Sequence, residues 1–447
     1  MASLRSSQSY RLRRRPLLRA RLYARRVKRL AIVTAVSILA GAAAAAFAWM
    51  SNVAMAAHER LYAWNGPLML ILMPVGFGLA AWLTLRFAPE SSGSGIPQVI
   101  AAAEQRWKGR WGGQRVTLKT AIWKVVLALG LYIFGASIGR EGPTVQVAAG
   151  IVRSLTRGLK GGPGRRALIL AGGAAGVAAA FNTPIAGVVF AVEELAKGFE
   201  KQTHATVIMV VVIAGFTSYA LQGDYAYFGV STGKDTLLAA WLLSPVIGLS
   251  GGIFGGVFAK AIAYLMGPES NPFSRWRRAH PVLFATLCGV VAAAVALGSG
   301  GLTFGAGYDE AKSLLRDHPG RGMTFALWKF VANLAAAVCG APGGLFSPSL
   351  AAGAGLGAAF ARIGLPIAGR DAVVLGMASY LSGVVQAPLT SAVILMEMTR
   401  EPGLVGPLML ASLVARWGSS LLMDEPLYHA LSHAWRYEPQ HEHATGT

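Results

Sequence analysis

Two apolar stretches of this chain carry the same landmarks in the same order, and that internal repeat constrains the fold more than any other feature. Trp123-Lys124, Pro143 and Pro184 are answered by Trp328-Lys329, Pro348 and Pro388 at offsets of 205, 205 and 204 residues. Local likeness supports the register: Ile122-Trp123-Lys124-Val125 sits against Leu327-Trp328-Lys329-Phe330, and Asn182-Thr183-Pro184-Ile185 against Gln386-Ala387-Pro388-Leu389. Chance rarely keeps three spacings. Weak internal symmetry with hydrophobic segments broken by Gly and Pro at matching places marks a two-repeat membrane architecture, whose site lies where the broken helices of the halves meet.

The solvent is lipid. Hydrophobic residues make up 54% of the 447 residues and charged residues 14%, beyond what a soluble domain of this length carries. Leu30 to Ala57 and Pro67 to Leu85 are long enough to span the roughly 30 Å hydrocarbon layer, while Leu283 to Leu297 and Leu404 to Ala415 are shorter. Thr144 to Ile151 and Ser349 to Phe360 are short and Gly-rich, which suits half-helices buried in protein rather than independent spans. The formal charge is +21, and eleven basic residues with no acid lie between Arg5 and Arg29, just before the first apolar run. The positive-inside bias puts that end in the cytoplasm. A basic arm of this kind suits nucleic acid or anionic lipid, and its place beside a membrane span selects lipid, with the Arg-Leu-Tyr-Ala-Arg-Arg-Val periodicity read as a surface-lying helix. Ala54-x-Ala56 imitates a cleavage site, but the apolar stretch before it is longer than a signal-peptide core, so an uncleaved anchor is expected. Cys288 and Cys339 read as packing residues without disulfide or metal spacing. His441-Glu442-His443 falls in a polar tail, and no metal or cofactor is expected.

The organisation is one all-α polytopic membrane domain, residues 30–431, with similar halves at 30–223 and 237–431. It lies between a basic segment, 1–29, and a polar tail, 432–447. Polar loops are expected at Glu104 to Gln114, Arg157 to Arg166, Pro268 to Arg278 and Asp309 to Gly322. The small residues of Gly248 to Gly256, four apart, permit close helix contact within the protein or at a subunit seam.

Three places share Gly-x-x-x-Pro spacing in apolar surroundings: Gly93-Ser94-Gly95-Ile96-Pro97, Gly139-Arg140-Glu141-Gly142-Pro143 and Gly344-Leu345-Phe346-Ser347-Pro348. An apolar run follows each, so each Pro is expected at the first helical position. Helix N-termini expose unpaired N–H groups and a partial positive charge, and three of them at membrane depth are satisfied if they converge on one anion.

In this order the three motifs resemble the signature sequences of the CLC family of chloride channels and chloride/proton exchangers, over nearly the whole span from Leu30 to Leu431. The resemblance implies two inverted-topology repeats with broken helices, in a homodimer whose subunits each hold a pore, in a cell membrane such as a bacterial inner membrane. It also implies that chloride is held by the Ser94 hydroxyl, by backbone N–H groups at Leu345 and Phe346, and by a tyrosine hydroxyl. Glu425-Pro426-Leu427-Tyr428 is similar to the family's segment that carries the last of these, which nominates Tyr428. Gly93, Gly95, Ile96, Arg140 and Gly142 complete the motif backbone. Glu141 matches the family's gate, a carboxylate that occupies the anion site when ionised and leaves it when protonated; the residue-level alternative is an ion pair with Arg140 in a loop. Glu194 matches the internal proton acceptor of the coupled members, where channels carry an apolar residue, and Glu193 beside it reads as a solvated helix end. The second-repeat acid, Glu397, reads as structural. Gln98 departs from the family's usual glutamate. Ser94 favours chloride over nitrate, whose carriers tend to place proline there.

The resulting expectation is a chloride/proton antiporter with chloride, protons, lipid and a second copy as partners and no nucleic acid. The alternatives are a passive chloride channel of the same family, told apart by Glu194, and an intramembrane serine protease built on Gly248-Leu249-Ser250-Gly251, whose histidine base would have to come from loop or border residues such as His280, His318, His429 and His433. Lys124 and Lys329 are expected either to snorkel to an interface or to pair with a buried acid such as Glu194.

Overall fold

The fold follows from where Gly and Pro interrupt the apolar runs. The computed structural model describes residues 2–104, 106–107, 110–111, 114–159, 164–195, 204–223, 228, 237–267, 271–316, 322–363 and 366–436, with side chains described from residue 19 onward except at 106, 107, 110, 111 and 204. The first half comprises α1 (Ala2–Trp64), α2 (Met69–Phe87), α3 (Ile96–Glu104), α4 (Leu118–Ile133), α5 (Glu141–Leu155), α6 (Arg165–Phe181), α7 (Pro184–Phe190) and α8 (His204–Gln222). The second comprises α9 (Leu237–Met266), α10 (Pro272–Ala279), α11 (Pro281–Gly298), α12 (Tyr308–Leu315), α13 (Gly322–Val338), α14 (Phe346–Arg362), α15 (Gly369–Val385), α16 (Pro388–Thr399) and α17 (Val405–Ser420), and α18 (Leu427–His433) follows. Arg106–Trp107 and Arg110–Trp111 pair as a minimal hairpin, β1 and β2.

Among the described residues, five helical stretches are long and apolar enough to cross a membrane: Arg19–Trp64, Gly66–Phe87, Ala205–Gln222, Leu237–Met266 and Pro281–Gly298. The Gly-rich α5 and α14 are almost wholly buried, as half-helices wrapped in protein must be.

The repeat is visible in matching details. Asn182 and Gln386 end α6 and α15 in the left-handed conformation, at φ 58° and 56°. Near the C-terminal end of α7, Glu193 accepts from the Leu389 and Thr390 N–H groups (3.1 and 2.6 Å) at the start of α16. Glu397, near the end of α16, accepts from the Ile185 and Ala186 N–H groups (3.2 and 2.6 Å) at the start of α7. Each acid caps the other repeat's helix, so α7 and α16 run antiparallel about a pseudo-two-fold axis, as inverted repeats require.

Several expectations change. Glu193 is not a solvated helix end but half of this reciprocal clamp. The basic segment is not a separate surface helix: α1 runs unbroken from Ala2 to Trp64, because its Leu, Arg and Ala residues are strong helix formers. The loops expected at Pro268 to Arg278 and Asp309 to Gly322 contain α10 and much of α12, whose polar residues lie on short amphipathic helices. The Pro residues of the three motifs sit one or two places inside their helices, since α3, α5 and α14 begin at Ile96, Glu141 and Phe346; any first-turn position spares an N–H that has no intrahelical acceptor. The glycines of α9 serve contacts within the subunit. A Cβ on Gly252 would fall 2.3 Å from the Ala415 carbonyl of α17, and one on Gly255 2.5 Å from the Tyr380 carbonyl of α15. Ser250 donates to the Val246 carbonyl one turn back (2.9 Å). Cys288 and Cys339 are free and buried. The tail motif His441-Glu442-His443 lies outside the described residues.

Candidate functional site

The three Gly-x-x-x-Pro loops meet, and backbone hydrogen bonds tie them together. Gly93 donates to the Ala341 carbonyl and accepts from the Gly343 N–H (3.2 and 3.1 Å), while Gly139 and Gly344 exchange both their bonds (2.9 and 2.8 Å). The third loop is therefore the centrepiece to which the other two are laced. There is no room for side chains at the junction: a Cβ on Gly142 would fall 2.5 Å from Ser94 Oγ, and one on Gly344 3.0 Å from the Gly142 nitrogen.

Lys124 fixes the first loop from beneath. It is wholly buried, and its ammonium donates to the carbonyls of Ser91 (2.8 Å) and Gly93 (2.6 Å). Lys329 repeats this in the second half, donating to the carbonyls of Thr303 (3.0 Å) and Gly305 (2.9 Å). Neither lysine snorkels, and Lys124 departs from the expected pairing with a buried acid, whereas Lys329 also lies within electrostatic reach of the half-buried Glu310. Loop carbonyls gather around each ammonium, which suits a compact three-donor cation. Gln98, where a glutamate was the usual residue, donates to the Ser92 carbonyl (2.5 Å) and braces the same loop.

Ser94, brought to the junction by the first loop, lies beside the Tyr428 hydroxyl at the start of α18. Both hydroxyl oxygens are buried, and neither has a hydrogen-bond partner among the described residues. Such groups are rare in folded proteins because they carry the full desolvation penalty. The Phe346 ring stacks on Tyr428 with centroids 5.8 Å apart and takes Phe181 and Phe190 on its edges. The N–H groups of Leu345 and Phe346 belong to the entry of α14, where the helix supplies no acceptor.

Glu141 opens α5, so it lies on a helix and not in a loop, and it is wholly buried. Its Oε1 accepts a hydrogen bond from Tyr308, the first residue of α12, whose hydroxyl also meets Ser347. Its Oε2 is buried with no hydrogen-bond partner among the described residues. Arg140, next in the chain, reaches α1, donating to the Ala48 carbonyl and to Asn52 Oδ1 (both 3.0 Å). Its guanidinium also lies over the Tyr308 ring, 5.8 Å from the centroid.

Glu194 is 2% exposed and lies in a π-helical turn, Ala191–Leu195, that continues α7. The wider turn separates neighbours: Glu193 goes to α16, while Glu194 faces α18, where its backbone carbonyl meets His429 Nε2 at 2.8 Å. Glu141 and Glu194 both lie within electrostatic reach of the Tyr428 hydroxyl, so Ser94, Tyr428 and the two acids share one neighbourhood. All four are residues that the motifs had nominated.

Two cavities approach this neighbourhood. One of about 260 Å³ is lined by Glu59, Arg140, Tyr308 and Glu310; the other, of about 770 Å³, is lined by Ser94, Leu345, Arg277 and Glu425. Tyr308 is the residue that sequence reasoning missed. Its signal was Gly305-Ala306-Gly307-Tyr308, which repeats Gly93-Ser94-Gly95-Ile96 at an offset of 212 without the proline. Gly95 and Gly307 take φ of 100° and 78°, a region that favours glycine, and each swings the chain into its helix.

Comparison with known proteins agrees with this geometry. A crystal structure described as a slow cyanobacterial Cl⁻/H⁺ antiporter superposes with a TM-score of 0.79 at 23% identity, covering 91% of this chain and 97% of that one. A CLC-type fluoride/proton antiporter gives 0.72 at 21% identity over 86% and 93% of the two chains. A eukaryotic CLC transporter gives 0.72 at 20% identity over 91% and 74%. At these identities the likeness establishes the fold. The family model described as voltage gated chloride channel matches residues 76–420, most of the chain, and this multi-pass membrane protein accordingly belongs to the CLC family.

Proposed function

We propose that the protein exchanges chloride for protons across a cell membrane. The observation that carries this reading is the buried Glu141 carboxylate, bonded to Tyr308 of one cavity's lining and close to the unpartnered hydroxyls of Tyr428 and of Ser94, which lines the other. An ionisable group at membrane depth needs a function. Chloride takes the two hydroxyl donors together with the N–H groups of Leu345 and Phe346 at the positive end of α14. Ionised Glu141 competes for the same positive region, and protonated Glu141 yields it. Each departure of the carboxylate then admits chloride and carries a proton, which is the basis of exchange.

The basic N-terminus sets the topology. It faces the cytoplasm by the positive-inside bias, so α1 crosses outward and the cavity lined by Glu59 and Tyr308 is external. The cavity lined by Ser94, with Arg277 and Arg278 at its rim, is then internal. Glu194 hands protons between the cytoplasm and Glu141. Structural likeness to a cyanobacterial Cl⁻/H⁺ antiporter supports antiport, and Glu194 is the feature that favours it over the alternative, a passive channel of the same family.

The deciding experiment is proton uptake driven by a chloride gradient in liposomes with the voltage fixed. Antiport moves protons uphill. Chloride movement without uphill proton movement would make the protein a channel.

A further inference from the structure

One group at the gate lies outside the three motifs, the phenol of Tyr308. We propose that Tyr308 is a latch that holds the ionised Glu141 carboxylate in the closed, path-blocking position and so sets how strongly chloride must compete to open it. This rests on the transport reading above and adds a positioning residue to it.

The polarity of the hydrogen bonds follows from counting protons. A phenol has one, and a carboxylate only accepts, so Tyr308 donates to Glu141 Oε1. Ser347 must then donate its hydroxyl proton to the Tyr308 oxygen. The two hydroxyls form a chain that ends on the carboxylate, and bonds to an ionised acceptor are about twice as strong as neutral ones.

The phenol is held from several sides and opens to the cavity on another. Arg140 covers the ring and is itself bound to Ala48 and Asn52 of α1. Phe228 packs on the ring with centroids 6.2 Å apart. Lys329 pins the Thr303-to-Gly305 backbone that leads into α12, and a Cβ on Gly307 would fall 2.9 Å from Lys329 Cε. A donor restrained this way needs no reorganisation when the carboxylate returns to it, which is where a latch gains strength.

The repeat shows why the position is free to serve. Tyr308 stands where Ile96 stands in the first half, after the same Gly-x-Gly turn. There the turn delivers Ser94 to the inner cavity; in the second half Ala306 replaces the serine, and the polar group has moved two residues on to face the outer cavity. Each half thus contributes a hydroxyl to the ion path, one toward each side of the membrane.

The test is Tyr308→Phe, which keeps the ring and its contacts and removes only the hydroxyl. In purified protein, calorimetry with potassium chloride should show apparent chloride affinity rising on the order of tenfold, equivalent to about 1.4 kcal/mol, and chloride efflux from liposomes should quicken. Ser347→Ala, which removes the donor behind the phenol, should shift both quantities the same way by less. In a Glu141→Ala background there is no carboxylate to release, so the effect of Tyr308→Phe should vanish; a merely structural role would persist there. Unchanged chloride affinity in both Tyr308→Phe and Ser347→Ala, or an undiminished effect without Glu141, would overturn the latch while leaving the transport reading intact. Wild-type protein that neither binds nor moves chloride would refute the transport reading, and the latch with it.

Discussion

Ser94 and Tyr428 share an unusual condition, each holding a buried hydroxyl without a protein partner among the described residues. That condition is tolerable if an anion supplies the acceptor. Removing one hydroxyl then removes a donor from a low-dielectric site, worth about 1 to 3 kcal/mol. Tyr428→Phe and Ser94→Ala should each weaken chloride binding by roughly five- to a hundred-fold on that range, measured by calorimetry; unchanged affinity in both would remove them from the site. The acids should separate cleanly. Glu141→Gln cannot ionise, so chloride should still pass while coupled proton movement is lost. Glu194→Gln should abolish proton pumping with chloride flux largely kept. Normal pumping by Glu194→Gln would mean that protons enter elsewhere. Glu193 is next in the chain but bonded to Leu389, Thr390 and the Thr390 hydroxyl. Glu193→Gln keeps one of the two acceptor oxygens of that cap, and its proton pumping should match wild type.

At the scale of elements, the chain uses charges to hold broken helices in place. Lys124 gathers the carbonyls of the loop that presents Ser94. Lys124→Met would keep the volume and remove the donor from the buried Ser91 carbonyl, at about 1 to 3 kcal/mol if it is left unpaired, while the Gly93 carbonyl keeps its bond from Gly343. Both melting temperature in detergent and chloride affinity should fall, because the loop that loses its anchor is the one that carries the donor. Glu397→Ala removes the cap from α7 and should cost about 1 to 2 kcal/mol of stability without touching the ion path; altered chloride affinity in this variant would show that the clamp also positions the site. The helix starts were legible in sequence because Gly and Pro have local conformational meanings. The partners were not. Nothing in the spacing of Lys124 or Lys329 reveals that backbone carbonyls will gather around them, since those carbonyls belong to loops 24 to 33 residues distant. Tyr308 stayed hidden for a related reason: its helix begins without proline, and only the positive-φ glycines repeat the pattern.

At the scale of the whole molecule, the 205-residue repeat was enough to foresee paired halves with the site at their meeting. The antiparallel sense of α7 and α16 needed the reciprocal caps, because hydropathy records length and burial but not direction. The assembled site has a further consequence. Ser94, Glu141, Tyr308, Leu345, Phe346 and Tyr428, the residues of the proposed site, all belong to one chain. For the expected homodimer, this reading predicts a separate pathway in each subunit and not a pore on the dimer axis. Mass measurement and crosslinking in mild detergent should give a dimer. A covalent tandem of one wild-type copy and one Glu194→Gln copy should then pump protons at about half the wild-type rate, as the mean of two uncoupled halves, and pass chloride through both. Complete loss of pumping in the tandem would mean that the subunits work as one unit. A monodisperse monomer retaining full flux would remove dimerisation as a requirement and leave the single-chain site as the whole transport machine.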